Sequence, residues 1–181
     1  MKKIILIAVC TLAIALPGMA QDLMFGKFLG SINPTNFTGN AAFRGYEKQV
    51  EITELLANTQ NRSTTISVKF SPSPASAEFL VHAQLDKRIL KGQLEVLEKN
   101  ATNPALSRVK YKLYFEDATV VSCTDSSADN KSLSTTVVLK PQRISWIYYT
   151  YDALSGKATG TTTHGFDLKS GESWTVTPSG F

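Results

Sequence analysis

This sequence is poor in histidine and cysteine, the side chains that most often bind zinc or act as general acids and nucleophiles. Its 181 residues include two histidines, His82 and His164, and two cysteines, Cys10 and Cys123. A structural zinc ion usually takes four Cys or His ligands, and a catalytic zinc ion takes three protein ligands. These four residues show no spacing typical of either set, and His82 is interpreted as a surface or hydrogen-bonded residue of a helix. The sequence therefore predicts no metal site.

Motifs of covalent catalysis are missing as well. No serine lies in a Gly-x-Ser-x-Gly elbow, and Cys123 has neither a C-x-x-C partner nor a flanking basic residue that would lower the pKa of its thiol. The acidic residues form no recognisable glycosidase pair, and no glycine-rich phosphate loop occurs. The sequence thus predicts no catalytic residue and no cofactor. A secreted hydrolase is the least supported interpretation.

The first twenty residues have the pattern of a secretory signal peptide. Lys2 and Lys3 form a positive start, an apolar run continues to Leu16, and small residues precede a cleavage site before Gln21. The apolar run is too short to cross a bilayer comfortably. The sequence therefore predicts a secreted protein, periplasmic or extracellular, with a signal peptide at residues 1–20 and a single domain at residues 21–181.

Loss of this segment would remove two lysines and one cysteine. The net charge, +4 for the whole chain, would become too small to indicate a nucleic-acid or membrane partner. Cys123 would be the one remaining cysteine, so no internal disulfide could form even in an oxidising compartment. The fold must then be held by packing, alone or together with assembly.

Most of the remaining sequence alternates apolar and polar residues, which is the pattern of half-buried β-strands. One example is the apolar face formed by Val109, Tyr111, Leu113 and Phe115. The predicted strands cover residues 24–29, 49–55, 65–70, 92–98, 109–116, 133–139 and 144–151. Residues 31–45 and 122–132 are predicted loops, and a tail rich in Gly and Thr follows the last strand.

One segment, residues 73–90, predicts a helix. Ser73 resembles an N-cap, Pro74 suits the first helical position, and Gly92 lies where a helix would end. Apolar residues fall on two faces of this helix. A helix between its own sheet and a neighbouring subunit fits that pattern, and so does a helix buried in one domain. Together the elements predict a mainly β fold, a two-sheet β-barrel or sandwich with one α-helix.

The buried face changes parity within one late β segment. Val137 and Leu139 belong to a series at odd positions, whereas Ile144 begins an even series, so we expect a bulge or bend near Pro141. Beyond the bend, aromatic and apolar residues line both faces, a surface that soluble proteins avoid exposing. Coverage by a second subunit and coverage inside one closed domain both stay open. The candidate subunit-interface residues are Trp146, Ile147, Tyr148, Tyr149 and Tyr151.

Several short segments resemble the Hcp family, which forms the inner tube of type VI secretion systems. Residues 111–122 are similar to the family's Y-x-L-x-x-A-x-V-x-S strand, and residues 137–148 are similar to its strand that ends in W-x-Y. Residues 165–167 are similar to a terminal G-W-D segment, and residues 73–90 lie where the family has its single helix. The resemblance covers nearly the whole chain after residue 20.

This resemblance implies a compact Hcp-like barrel of two sheets and one helix. It implies a non-enzymatic protein whose six copies form a ring, with rings stacked into a hollow tube that carries effectors and meets a tip protein. The loop at residues 31–45 would contribute to stacking, and the helix would face the lumen or a neighbour. The signal peptide departs from the pattern, because these tubes are assembled in the cytoplasm.

A different class of function also fits the sequence. The alternative is a secreted monomeric β-sandwich that binds a small ligand or a glycan in a preformed pocket. The ring interpretation predicts a hexamer in solution and the binding-module interpretation predicts a monomer. Neither requires nucleic acid or a membrane as a partner of the mature protein.

Overall fold

A computed structural model describes residues 22–32, 34–60, 63–100, 107–128 and 132–176. The predicted signal peptide lies outside these residues. The described part is mainly β with one helix, as predicted from the sequence. Its elements are β1 (Leu23–Gly30), β2 (Val50–Gln60), β3 (Ser63–Phe70), α1 (Pro74–Gln84), β4 (Arg88–Glu98), β5 (Arg108–Ala128), β6 (Ser132–Lys140), β7 (Arg143–Tyr151) and β8 (Ala158–Asp167). No helix among the described residues is long and apolar enough to cross a membrane.

The strands form one antiparallel sheet that closes on itself in part. Their order is β4-β1-β2-β3-β6-β5-β7-β8, and β4 also pairs with β5, so six strands make a barrel. Strand β5 is 21 residues long. Its first half pairs with β4 and β7, and its second half pairs with β6. Strands β7 and β8 therefore extend from the barrel as an outer pair.

The bend predicted near Pro141 is present. Lys140 is the last residue of β6 and pairs with Thr119, whereas Arg143 is the first residue of β7 and pairs with Glu116. The two strands follow one another along the same edge of β5, and the interruption between them changes which side chains point inward. Proline has no N–H for a sheet ladder, so it suits this break.

The main core lies inside the barrel and is closed by α1. Alternate residues of β3 and β6, such as Val68 and Val137, are fully buried there. Phe79 of α1 contacts Phe28 and Phe37 edge to face, with ring centroids 4.9 Å apart in both pairs. Edge-to-face packing suits the quadrupoles of aromatic rings and adds to the burial of their area. The helix is thus fixed to the barrel by an aromatic cluster.

The helix is shorter than the sequence predicted. The backbone N–H of Ser73 donates to Ser76 Oγ at 3.1 Å at the start of α1, and Ser76 Oγ lies 2.9 Å from Thr135 Oγ1 of β6. The chain then leaves the helix after Gln84. The predicted end at Gly92 is wrong, because Gly92 lies inside β4, paired with Phe115. The Phe115 ring approaches the backbone closely here, and this explains the glycine; it does not mark the end of a helix.

Two further segments differ from the predicted strands and loops. Residues 122–128, predicted as loop, continue β5 as a polar hairpin with β6 in which Thr135 Oγ1 donates to Asp125 Oδ1 at 2.7 Å. The tail after β7 forms β8, paired with β7 along its length. Both segments are rich in Ser and Thr, and cross-strand bonds between hydroxyls support such strands although their composition resembles that of a loop.

A second, smaller core lies outside the barrel. Residues 41–46 lie against the outer face of β1 and β4, where Phe25, Ala41 and Leu97 are buried together. The ring of Tyr46 stacks on that of Phe25 at a centroid distance of 4.4 Å. The long loop predicted from its Asn, Gly and Thr content therefore carries an apolar lining that covers part of the sheet.

Candidate interaction surface

Along one face of β7, the side chains become more exposed from the start of the strand to its end. Ile144 is fully buried, and Trp146 is half-buried against the main core. Tyr148, two residues further on, is 48% exposed. Its ring lies 5.6 Å from that of Tyr111, its partner on β5. The inward face of this strand therefore ends in a pair of tyrosines at the rim of the barrel, and Tyr148 is accessible to a second molecule.

The opposite face of β7 is mostly occupied within the chain. Ile147 is buried, and Tyr149 and Tyr151 are half-buried. The hydroxyl of Tyr151 donates to the carbonyl of Val109 at 2.9 Å, and the guanidinium of Arg108 lies 5.2 Å from the centre of its ring. Of the five candidate residues, Tyr148 thus offers the most exposed surface. Contact of these residues with another subunit stays a prediction.

A buried charged network lies on the same outer face of the sheet. The carboxylate of Glu95 accepts hydrogen bonds from Lys112 Nζ at 2.9 Å, from Tyr46 OH at 2.8 Å, and from Gln93 Nε2. The side chain of Glu95 is 8% exposed and that of Lys112 is 20% exposed. A buried carboxylate is tolerated only when it is paired and hydrogen-bonded. The network joins the outer loop, through Tyr46, to β4 and β5.

These groups predict a loss of stability at alkaline pH. Burial raises the pKa of Tyr46 and of Tyr114, and the hydrogen bond with Glu95 raises the pKa of Tyr46 further. A group whose pKa is raised in the folded state ionises first in the unfolded state, so its contribution is complete below about pH 10 and falls as the pH rises above it. We expect the thermal midpoint to fall steeply between about pH 10 and about pH 11. Circular dichroism at each pH measures the midpoint. The fall should be shallower in Tyr46→Phe than in the wild type, and a fall equal to that of the wild type would contradict the role of Tyr46.

Within the described part of the chain, the outer edge of β8 is open over most of its length. Residues 158–164 are exposed, and they contain neither lysine nor proline. The described chain pairs with this edge only near its end, where Ser173 bridges Phe166 and Trp174 N donates to Gly165 O at 2.9 Å. Natural proteins usually protect such edges with charge, proline or a covering element. Among the described residues, nothing covers the rest of this edge.

The residues with possible catalytic chemistry are not brought together. His82 is buried in α1, where Nδ1 lies 2.8 Å from the carbonyl oxygen of Glu78, and His164 is exposed on β8. Burial raises the pKa of the Cys123 thiol, and the neighbouring charge of Asp125 raises it further. Both effects oppose formation of a nucleophilic thiolate. Among the described residues no group of three or more His, Cys, Asp or Glu side chains is placed to hold a metal ion.

No family model matches the sequence, and no curated protein matches it. Among solved structures, the chain is similar to Hcp1 from Salmonella typhimurium, with 18% identity, a TM-score of 0.69, and coverage of 84% of this chain and 99% of that one. It is also similar to a structure described as a type six secretion system protein, with 16% identity, a TM-score of 0.70, and coverage of 85% and 100%.

A third similar structure is the secreted protein Hcp3 from Pseudomonas aeruginosa. It is 17% identical with a TM-score of 0.60, and the alignment covers 78% of this chain and 97% of that one. Matches over almost the full length of three such structures establish an Hcp-like fold for this chain. At these identities the likeness extends to the fold and does not carry a function with it.

Proposed function

We propose that this protein is a non-enzymatic structural component whose copies associate into a ring, six to a ring, as the family resemblance implies. The observation that carries the proposal is the pair β7–β8, which is not part of the closed ring of six strands and has Tyr148 exposed on one strand and an open edge on the other. Exposed tyrosine and an unpaired strand edge are both favourable for contact with another protein chain.

The outer face of α1 supports the same proposal. Leu80 and Val81 of the helix and Leu85 just after it are between 43% and 57% exposed, so these apolar side chains are only partly covered within the described part of the chain. A ring joins two different surfaces of each subunit by one repeated contact, and the helix and the β7–β8 pair are two such surfaces. Stacking of rings into a hollow tube, cargo effectors and a tip protein belong to the proposal as further expectations.

Export is part of this proposal and sets it apart from a cytoplasmic tube. If the N-terminal segment is removed during secretion, assembly takes place after export, in the periplasm or outside the cell. Sequencing the N-terminus of the protein recovered from cells tests this point. A mature chain that begins at Gln21 supports export, and an intact Met1 start supports cytoplasmic assembly.

Light scattering of the purified protein tests self-association. We expect a mass close to six chains, and we expect Tyr148→Arg to lower it, because burying an unpaired charge at an apolar contact is costly. Leu133→Arg is the matched control, since Leu133 is 64% exposed on β6, away from β7 and β8. Both variants should keep the circular dichroism spectrum of the wild type.

A strict monomer over a wide concentration range would overturn the proposal. It would favour the alternative, a monomeric β-sandwich that binds a small ligand or a glycan. An equal loss of mass in Tyr148→Arg and Leu133→Arg would leave association in place but exclude Tyr148 as its specific contact.

A further inference from the structure

A basic pocket opens at the corner between β6 and β7. It has a volume of about 380 Å³, and residues from five separate parts of the chain line it. Pockets of roughly 300 Å³ and above are large enough for small-molecule ligands. Three of its lining residues are cations, Arg88, Lys140 and Lys169, and one, Asp117, is an anion. The pocket therefore has a surplus of two positive charges.

The sheet itself places two of these cations on either side of one residue, two strands apart. Arg88 pairs with Thr119 across β4 and β5, and Thr119 pairs with Lys140 across β5 and β6. Residues directly opposite one another in a ladder point to the same face of the sheet. Two cations thus flank a threonine hydroxyl on one face, where like charges repel each other unless an anion lies between them.

One neighbouring cation outside the pocket is placed differently. Arg143, at the same corner, has carboxylates on both sides, Glu116 at 3.2 Å and Asp167 at 3.0 Å. Within the described residues, Lys140 and Lys169 form no ion pair. The charge at this pocket is therefore not balanced by the fold.

The backbone at the pocket is also unusual. Asp117 has a left-handed φ of 54°, a conformation that non-glycine residues adopt rarely and that is found more often at functional sites. The carbonyl of Asp117 accepts a hydrogen bond from Arg88 Nη1 at 3.1 Å. This contact holds the Arg88 guanidinium at the wall of the pocket, next to the left-handed backbone of Asp117.

We propose that this pocket binds a phosphate group carried by a small ligand. Two surplus positive charges match the dianion of a phosphate monoester, and Lys and Arg side chains next to hydroxyl groups are the donors that phosphate oxygens use. The volume leaves room for a group of the size of a sugar beside the phosphate. This inference stands apart from self-association, because it rests on different residues.

Calorimetric titration of the full protein tests the proposal with three probes: inorganic phosphate, glucose 6-phosphate and glucose. We expect both phosphates to bind and glucose not to bind. Tighter binding of glucose 6-phosphate would identify a sugar phosphate as the ligand class, and equal binding would identify the phosphate group alone. Absence of heat with both phosphates at millimolar concentration, or equal binding of glucose, would overturn the proposal.

Two substitutions with opposite expected effects make the test sharper. Lys140→Ala should weaken phosphate binding about tenfold, because a charge-assisted hydrogen bond is lost. Asp117→Asn should strengthen it about threefold, because it removes a repelling charge while asparagine tolerates the left-handed backbone as well as aspartate does. Lys99→Ala, an equal loss of charge outside the pocket, is the control.

If Lys99→Ala lowers the affinity for phosphate as much as Lys140→Ala does, the loss comes from the overall charge of the protein and the proposal is overturned. Weaker binding in Asp117→Asn would also contradict it. The circular dichroism spectrum of each variant distinguishes these outcomes from loss of folding.

Discussion

Lys112→Met is expected to lower the free energy of unfolding by about 3 kcal/mol. The substitution keeps the long apolar stem of the side chain but removes the ammonium group that lies 2.9 Å from Glu95. Glu95 would then remain a buried carboxylate with two neutral donors, Tyr46 and Gln93. Removing one partner of a buried ion pair costs more than the pair contributes, because the other charge is left without compensation.

The same strand offers a matched control for this experiment. Lys110, two residues away on β5, has its Nζ 2.8 Å from Asp22 Oδ2, but both side chains are substantially exposed. Lys110→Met should therefore change the free energy of unfolding by less than about 1 kcal/mol. Urea unfolding followed by tryptophan fluorescence measures both variants. Equal effects would show that burial of the Glu95–Lys112 pair has no special role.

A second substitution separates charge from packing. Adding Glu95→Gln to Lys112→Met replaces the unpaired carboxylate by a neutral amide of the same shape, which still accepts a hydrogen bond from Tyr46. We expect the double variant to regain about 2 kcal/mol relative to Lys112→Met alone. If it does not recover, the loss in Lys112→Met comes from the shape of the side chain and not from the buried charge.

The sequence indicated part of this architecture because local patterns carry it. The alternation of residues 109–115 predicted β5, and the change of parity near Pro141 predicted the break between β6 and β7. The N-terminal end of the helix was also readable, since Ser73 and Pro74 have local preferences for those positions. These features depend on neighbours in sequence.

Other features depend on neighbours in space, and sequence reasoning missed them. Glu95 and Lys112 alternate with apolar residues, a pattern typical of positions that face solvent, yet both are largely buried where Tyr46 of the outer loop donates to Glu95. Gly92 had the appearance of a helix end because nothing local reveals that a ring from β5 lies against it. The basic pocket brings together residues from the loops and strand ends of distant segments, which no spacing along the chain indicates.

The candidate interface was also predicted from the sequence only in part. The sequence placed aromatic residues on both faces of β7, and the structure explains one face by internal contacts, such as the hydrogen bond from Tyr151 to Val109. Tyr148 remains exposed, together with the outer face of α1 and the edge of β8. Tyr148 and the edge of β8 lie outside the closed ring of six strands, and the exposed side chains of α1 point away from the core that this helix covers. This is the reason to propose that they serve assembly and not stability.

Gly92→Ala is the second substitution with a large expected effect. Gly92 lies between Phe28 of β1 and Phe115 of β5 in one row across three strands. A Cβ at this position would overlap Cζ, Cε1 and Cε2 of Phe115, which is 1% exposed. The ring cannot move away cheaply, because its centroid is 6.2 Å from that of Phe28 in the closed core. We expect Gly92→Ala to cost about 3 kcal/mol and to lower the thermal midpoint by about 10 °C.

Gly160→Ala and a double variant test the cause of this effect. Gly160 is an exposed strand residue of β8, and a Cβ there would meet only Thr150 Oγ1, at 3.3 Å, so its substitution should leave the midpoint nearly unchanged. Phe115→Leu removes the tip of the ring that the methyl group added by Gly92→Ala would strike, and it should cost about 1 to 2 kcal/mol alone. In the double variant we expect a smaller loss than the sum of the two single losses, since the clash and its partner are removed together. Strictly additive losses would mean that the glycine is required for a reason other than the approach of the Phe115 ring.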